Sequence, residues 1–231
     1  MRTLVLVPII HIDADLGKAK DEIKLVKNRF LSQKRVEQHE KTISMFWDRI
    51  QDYFQEQDVK NMKIFQDGMA AGGWVGQKIV NELALKQSRN FKLLSDLVNK
   101  GAVIMKTEDI ALIQQEHALF TALLQSKRFF STMTNYLKYR FYKKQLLKKR
   151  DIYIAGQINS NLKKGEKAAL FIGAAHNVAC FLDKDILVSA LKNPLLVNKY
   201  FKAFNRRKKN DQEFQYLSEK LRCKINGESK A

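Results

Sequence analysis

Ala168-Ala169-Leu170-Phe171-Ile172 runs directly into Gly173-Ala174-Ala175-His176. Five apolar residues with no polar alternation read as a strand buried on both faces. The small residues after it allow close backbone approach, and a histidine closes the stretch. A second run of this kind lies at residues 3–10, where Leu4-Val5-Leu6-Val7-Pro8-Ile9-Ile10 is followed at once by His11, Asp13 and Asp15. Shorter strands are expected at 62–65 and 102–105.

Helical spacing fills the intervals. Ile23, Val26, Phe30, Val36, Ile43, Phe46 and Ile50 predict one long helix or two shorter ones between 16 and 58. Residues 68–76 read as a glycine-rich loop. Helices follow at 79–85 and 91–98, with Gly101 as a C-cap. Thr107 is the expected N-cap of the next helix. Helical pattern then fills 110–150, and a shorter helix covers 151–162. Residues 185–191 read as a helix, and a fifth strand is expected within one of the long helical stretches. Strands alternating with helices predict an α/β fold with a mostly parallel sheet flanked by helices. A large helical insertion at about 110–150 belongs to a domain over residues 1–200, and a basic helical tail covers 201–231.

The 231 residues are 45% apolar and include only two prolines, which excludes a disordered or low-complexity chain. No apolar run approaches the ~20 residues of a membrane span. The first run lacks the small-residue cleavage site of a signal peptide, so it is expected to be a strand. Cys180 and Cys223 have neither metal-ligand nor disulfide-framework spacing, so a reducing, cytoplasmic location is expected. Lys and Arg number 42 against 24 acids, a formal charge of +18. Residues 138–150 hold seven of these cations with no acid, and residues 192–231 hold eleven against four. Aromatics interleave with both segments. Nucleic acid or an anionic membrane surface is thus a candidate partner, set against a plain solvated face with inward-packed aromatics.

Sites in open parallel sheets form outside the carboxyl ends of the strands. His11 follows the first strand, Asp67 the second, Glu108 and Asp109 the third, and His176 the fourth. Such a set suits metal binding or general acid–base chemistry. Against this, Asp67, Glu108 and Asp109 are also ordinary turn and helix-start residues. Two histidines at matching strand ends are harder to explain that way. His39 and His117 fall in helical sequence that reads as solvated, and no role is expected for them. No Gly-x-Ser-x-Gly elbow and no P-loop pattern occurs.

Arg150-Asp151-Ile152-Tyr153-Ile154-Ala155, followed about 20 residues later by Gly173-Ala174-Ala175-His176, resembles the erythromycin esterase, ChaN and TraB superfamily. Pro8-Ile9-Ile10-His11 is similar to that superfamily's Gly-x-x-His, with proline in the glycine's place. The resemblance covers residues 3–15, 62–67 and 150–192. It implies an α/β fold with a histidine-rich cleft in a group whose members hydrolyse esters, cleave peptides with a metal, bind haem or inactivate pheromones. It implies His11 as general base or metal ligand and His176 as its partner. Arg150 would bind a carboxylate or stabilise an oxyanion, and Asp151 would orient a histidine. The expectation is a hydrolase-like protein acting on a small molecule or peptide, with a divalent transition metal as candidate cofactor. The alternative is a non-catalytic binding protein that takes haem or another small ligand in the cleft, or nucleic acid on its basic face.

Overall fold

The computed structural model describes residues 1–10, 31–86, 88–125, 129–206, 210–225 and 229–230. Its elements are β1 (Arg2–Ile9), α1 (Gln33–Gln55), β2 (Lys63–Gln66), α2 (Gly73–Ala84), α3 (Arg89–Asn99), β3 (Val103–Ile104), α4 (Ile110–Gln125), α5 (Phe129–Asn161), β4 (Lys167–Gly173), β5 (Ile186–Ala190), α6 (Pro194–Asn205), α7 (Asp211–Arg222) and β6 (Ser229–Lys230). A 3-10 turn, Val178–Phe181, lies between β4 and β5.

Five parallel strands lie in the order β3-β2-β4-β1-β5, and the two-residue β6 adds antiparallel to β5 at the edge. The fold is α/β, as the sequence predicts. β1 and β4 are the central pair, in register from Thr3 with Lys167 to Ile9 with Gly173. Their uniform apolar character follows from burial on both faces. Val5, Val7 and Ile9 pack with Ala169 and Phe171 into a core shared with α1, α3, α6 and α7. Leu4 and Leu6 pack on the other face with Ala168, Leu170 and Ile172, under Ile154, Ala155 and Ile158 of α5 and Leu162 just after it.

Pro8 is tolerated in this central strand because of where β5 stops. Leu6 accepts from Leu191 N–H on the β5 side, and Pro8 points the same way two residues later. Pairing with β5 ends at Leu6 with Ala190, so no β5 residue is registered opposite Pro8 to need the N–H it lacks.

Several expectations are corrected. Residues 186–190 form a strand rather than a helix. This is the fifth strand, and it does not interrupt a long helical stretch. Residues 73–76 belong to α2 and not to a loop. α5 runs unbroken from 129 to 161, so Arg150 and Asp151 lie inside a helix and not at a helix start. Asp109 Oδ1, not Thr107, accepts from a first-turn amide of α4, that of Ala111, at 2.8 Å. In the basic helical tail, Phe204, Phe214, Leu217 and Leu221 are within the larger core, beside Tyr200. Arg35 of α1 binds the tail there, donating to the carbonyls of Ala203 (2.6 Å) and Phe204 (3.4 Å) and to Asp211 (2.6 Å).

Candidate functional site

Each candidate side chain is placed by a backbone feature. Asp67 follows β2, where its N–H donates to Phe171 O at 2.8 Å and carries the β2–β4 ladder one step past the strand. Glu108 is set by Met69 O, which accepts from the N–H groups of Thr107 (2.8 Å) and Glu108 (3.0 Å). Thr107 Oγ1 accepts from Gln66 N–H at 3.0 Å, which ties this turn to the end of β2. His176 N–H closes a tight turn onto Gly173 O at 3.1 Å. Arg150 and Asp151 are consecutive on α5, so they diverge by about 100° around the helix. One reaches toward β2 and β3, the other toward the end of β4.

Arg150 is the hub. Its Nε donates to both Glu108 oxygens at 3.2 Å. Nη2 donates to Glu108 Oε1 at 2.5 Å and to Asp67 Oδ1 at 2.6 Å, and Nη1 to Glu116 Oε2 at 2.5 Å. Glu108 is fully buried and Arg150 is 8% exposed. Burial pushes the Glu108 carboxyl up, and the bonds and charge of Arg150 only partly oppose this. Burial works against the Arg150 cation, yet its bond to Glu108 and the charges of Asp67, Glu108 and Glu116 raise its pKa further above the ordinary arginine value.

The second half of the site is a dyad. His176 Nδ1 donates to Asp151 Oδ1 at 2.6 Å, and Asn177 N–H donates to Asp151 Oδ2 at 3.0 Å. Both Asp151 oxygens are thereby fixed, and so is the imidazole. His176 Nε2 faces Asp67 Oδ2 at 3.5 Å, while that oxygen accepts from Gly173 N–H at 3.1 Å. Asp67 thus bridges the Arg150 hub and the dyad. Gly173 makes this possible. A Cβ there would stand 3.2 Å from Asp67 Oδ2 and 3.7 Å from His176 Cδ2.

Burial alone would hold the His176 imidazole neutral. The Asp151 hydrogen bond and the Asp67 charge outweigh burial and the repulsion of Arg150, so its pKa is raised. The charge balance agrees. Asp67, Glu108, Glu116 and Asp151 are four carboxyl groups facing two cationic partners, Arg150 and His176.

A cleft of about 460 Å³ opens beside the dyad, over the carboxyl ends of β1, β4 and β5. His176 and Asn177 form one wall, Pro8 and Ile172 the floor, and Asn193, Leu195 and Asn198 at the start of α6 the opposite wall. The cleft is where the sheet's connections diverge, from β1 toward β2 and from β4 toward β5.

The structure therefore brings together Asp67, Glu108, Arg150, Asp151 and His176. His11, Asp13 and Asp15 lie outside the described residues, so the expected His11–His176 pair has no geometry. Asp109 is a helix cap and does not join the cluster. Glu116 was not anticipated, because it sits mid-helix in α4 with nothing in the sequence pairing it to position 150. His117 is exposed. His39 is not solvated as expected. It is 7% exposed, hydrogen-bonded to the Tyr200 hydroxyl at 2.8 Å and stacked on Phe204 at 3.8 Å, and its place is in the core.

The described residues do not fit a resident divalent metal. None of their His, Cys, Asp and Glu side chains form a group of three or more suited to a cation. Glu108, Glu116 and Asp67 Oδ1 are committed to Arg150, which leaves His176 Nε2 and Asp67 Oδ2, two donors where catalytic sites use three. For haem, His176 is held at Nδ1 by Asp151 in the way a metal-bound imidazole is held, while its Nε2 faces the Asp67 carboxylate at 3.5 Å.

Searched against protein-family models, curated proteins and solved structures, the chain matches none.

Proposed function

We propose that the protein is a hydrolase-like acid–base catalyst in which His176, oriented by Asp151, exchanges a proton with a substrate held in the adjoining cleft. The observation that carries this reading is the Asp151–His176 hydrogen bond of 2.6 Å at a cleft wall on the carboxyl edge of a parallel sheet. The carboxylate fixes the ring orientation and stabilises its cationic form. The raised pKa favours the charged ring, which suits His176 to donate a proton. It suits a leaving group or a developing oxyanion, and the neutral ring then accepts a proton from water.

Arg150 serves in this reading as the organiser of Asp67, not as an oxyanion donor, because all three of its nitrogens already hold carboxylates. The substrate class is a small ester, amide or phosphoester, in keeping with the resemblance to the erythromycin esterase, ChaN and TraB superfamily. A reducing, cytoplasmic setting belongs to the same reading, supported by two free and exposed cysteines.

The test is a panel of chromogenic acyl esters, aminoacyl amides and phosphoesters, with His176→Asn and Asp151→Asn as controls. Turnover of at least one class should fall by roughly 10²–10⁴-fold in His176→Asn, the usual worth of a positioned acid–base group. Turnover unchanged in both variants would reject the assignment.

A further inference from the structure

α5 is longer than the core beneath it. Its second half carries Ile154, Ala155 and Ile158 onto the sheet, while the half before Arg150 packs against α4. Among the described side chains of that first half, the large apolar ones are exposed. Leu137 is 59%, Phe141 63% and Tyr142 48% exposed, and the Phe141 and Tyr142 rings meet edge to face at 5.6 Å. Leu146, by contrast, is buried. At 100° per residue, Leu137, Phe141, Lys144 and Lys148 fall within about 60° of one another, on the side opposite Leu146. Arg140, Lys143 and Lys149 are exposed around this stripe, and residues 138–149 contain no acid.

A solvated helix face needs the lysines but gains nothing from a leucine and a phenylalanine at its centre. Those two residues have no core to serve, and they lie about 14 to 20 Å along the helix from Arg150 at a rise of about 1.5 Å per residue. We propose that this face of α5 docks the protein on an anionic lipid bilayer, with Leu137 and Phe141 entering the acyl boundary and the lysines pairing with headgroups. The charge is complementary to such a surface, and apolar residues flanked by lysines suit its interface. Single-stranded nucleic acid shares the charge preference but is less well served. Stacking gains nothing from Leu137, an aliphatic side chain that is 59% exposed on the same stripe, whereas an acyl boundary accepts it.

The experiment is vesicle flotation of the full chain with phosphatidylcholine alone and with equal parts phosphatidylcholine and phosphatidylglycerol. Oligouridylate binding is measured in parallel. The protein should float with the anionic vesicles and not with the neutral ones. Lys144→Gln with Lys148→Gln should weaken partitioning roughly 30-fold, at about fivefold per lysine near an anionic surface. Leu137→Ser with Phe141→Ser should weaken it roughly tenfold, with the thermal melt unchanged because both side chains are exposed. Flotation that ignores the apolar pair would overturn the proposal. So would absence of flotation, or oligouridylate binding that is lost in these variants while flotation is not.

Discussion

Arg150 is the residue on which most of the buried charge depends. Its removal leaves Glu108, with no exposed surface, and the half of Asp67 that it holds without a counter-charge. Arg150→Leu should therefore destabilise the fold by about 3–5 kcal/mol in urea titration, the usual cost of breaking a buried ion pair. Arg150→Lys should recover little of this, since one ammonium cannot fork to three carboxyl groups. A loss under about 1 kcal/mol for Arg150→Leu would mean the cluster is effectively solvated. Proton linkage follows from the same groups. His176 has a raised pKa, so its contribution to stability is full below its ordinary value of about 6.5 and disappears as pH climbs through the folded value. Glu108, raised by burial, acts in the same direction from its own lower starting point. Stability should thus decline from mildly acidic to mildly alkaline pH, and His176→Gln should flatten the upper part of that decline. An unchanged slope in the variant would remove His176 from the linkage. Gly72 offers a backbone test. A Cβ there would meet the Lys106 amide nitrogen at 2.7 Å, so Gly72→Ala should cost about 1–3 kcal/mol through forced movement of the turn that sets Glu108.

Among the elements, β1 and β4 were legible because burial on both faces leaves an unbroken apolar run. The ends of those runs also pointed to the site. β5 was not legible. Ile186-Leu187-Val188-Ser189-Ala190 is short, lacks alternation and contains good helix formers, and its strand state comes from pairing with β1. The continuity of α5 was missed for a different reason. An aspartate after basic residues reads as an N-cap, but Asp151 directs both oxygens to His176 and Asn177, so no cap is needed and the helix continues. The packing of the tail helices is hard to read from sequence because their lysines dominate the composition, while the aromatics between them fill the core. α6 and α7 close on α1 through Tyr200, Phe204 and Phe214, with Tyr200 and Phe214 stacked at 5.5 Å. Phe204→Ala or Phe214→Ala should each cost about 3–5 kcal/mol by chemical denaturation. A cost typical of a surface change would return these helices to the periphery.

Across the whole molecule, both faces of the sheet must be covered, and the coverage is unequal. One face relies chiefly on α5. The other needs α1 and α3 and also the C-terminal helices, which are joined to α1 by the buried Arg35 and by the His39–Tyr200 bond. Deletion of residues 202–231 should abolish the cooperative thermal transition, and a truncated chain that melts like the full one would contradict this packing. The cleft depends on the same coverage, because α6 supplies its second wall. Among the 42 Lys and Arg residues, Arg150 and Arg35 are paired inside, while the cations of the α5 stripe face outward. Central to the account is the His176 imidazole, held by Asp151 beside that cleft. The direct measurement is the NMR titration of His176 in the intact protein and in Asp151→Asn. The account predicts a His176 pKa above the ordinary histidine value in the intact protein and a clear fall in the variant. A value at or below the ordinary one, or one indifferent to Asp151→Asn, would contradict it.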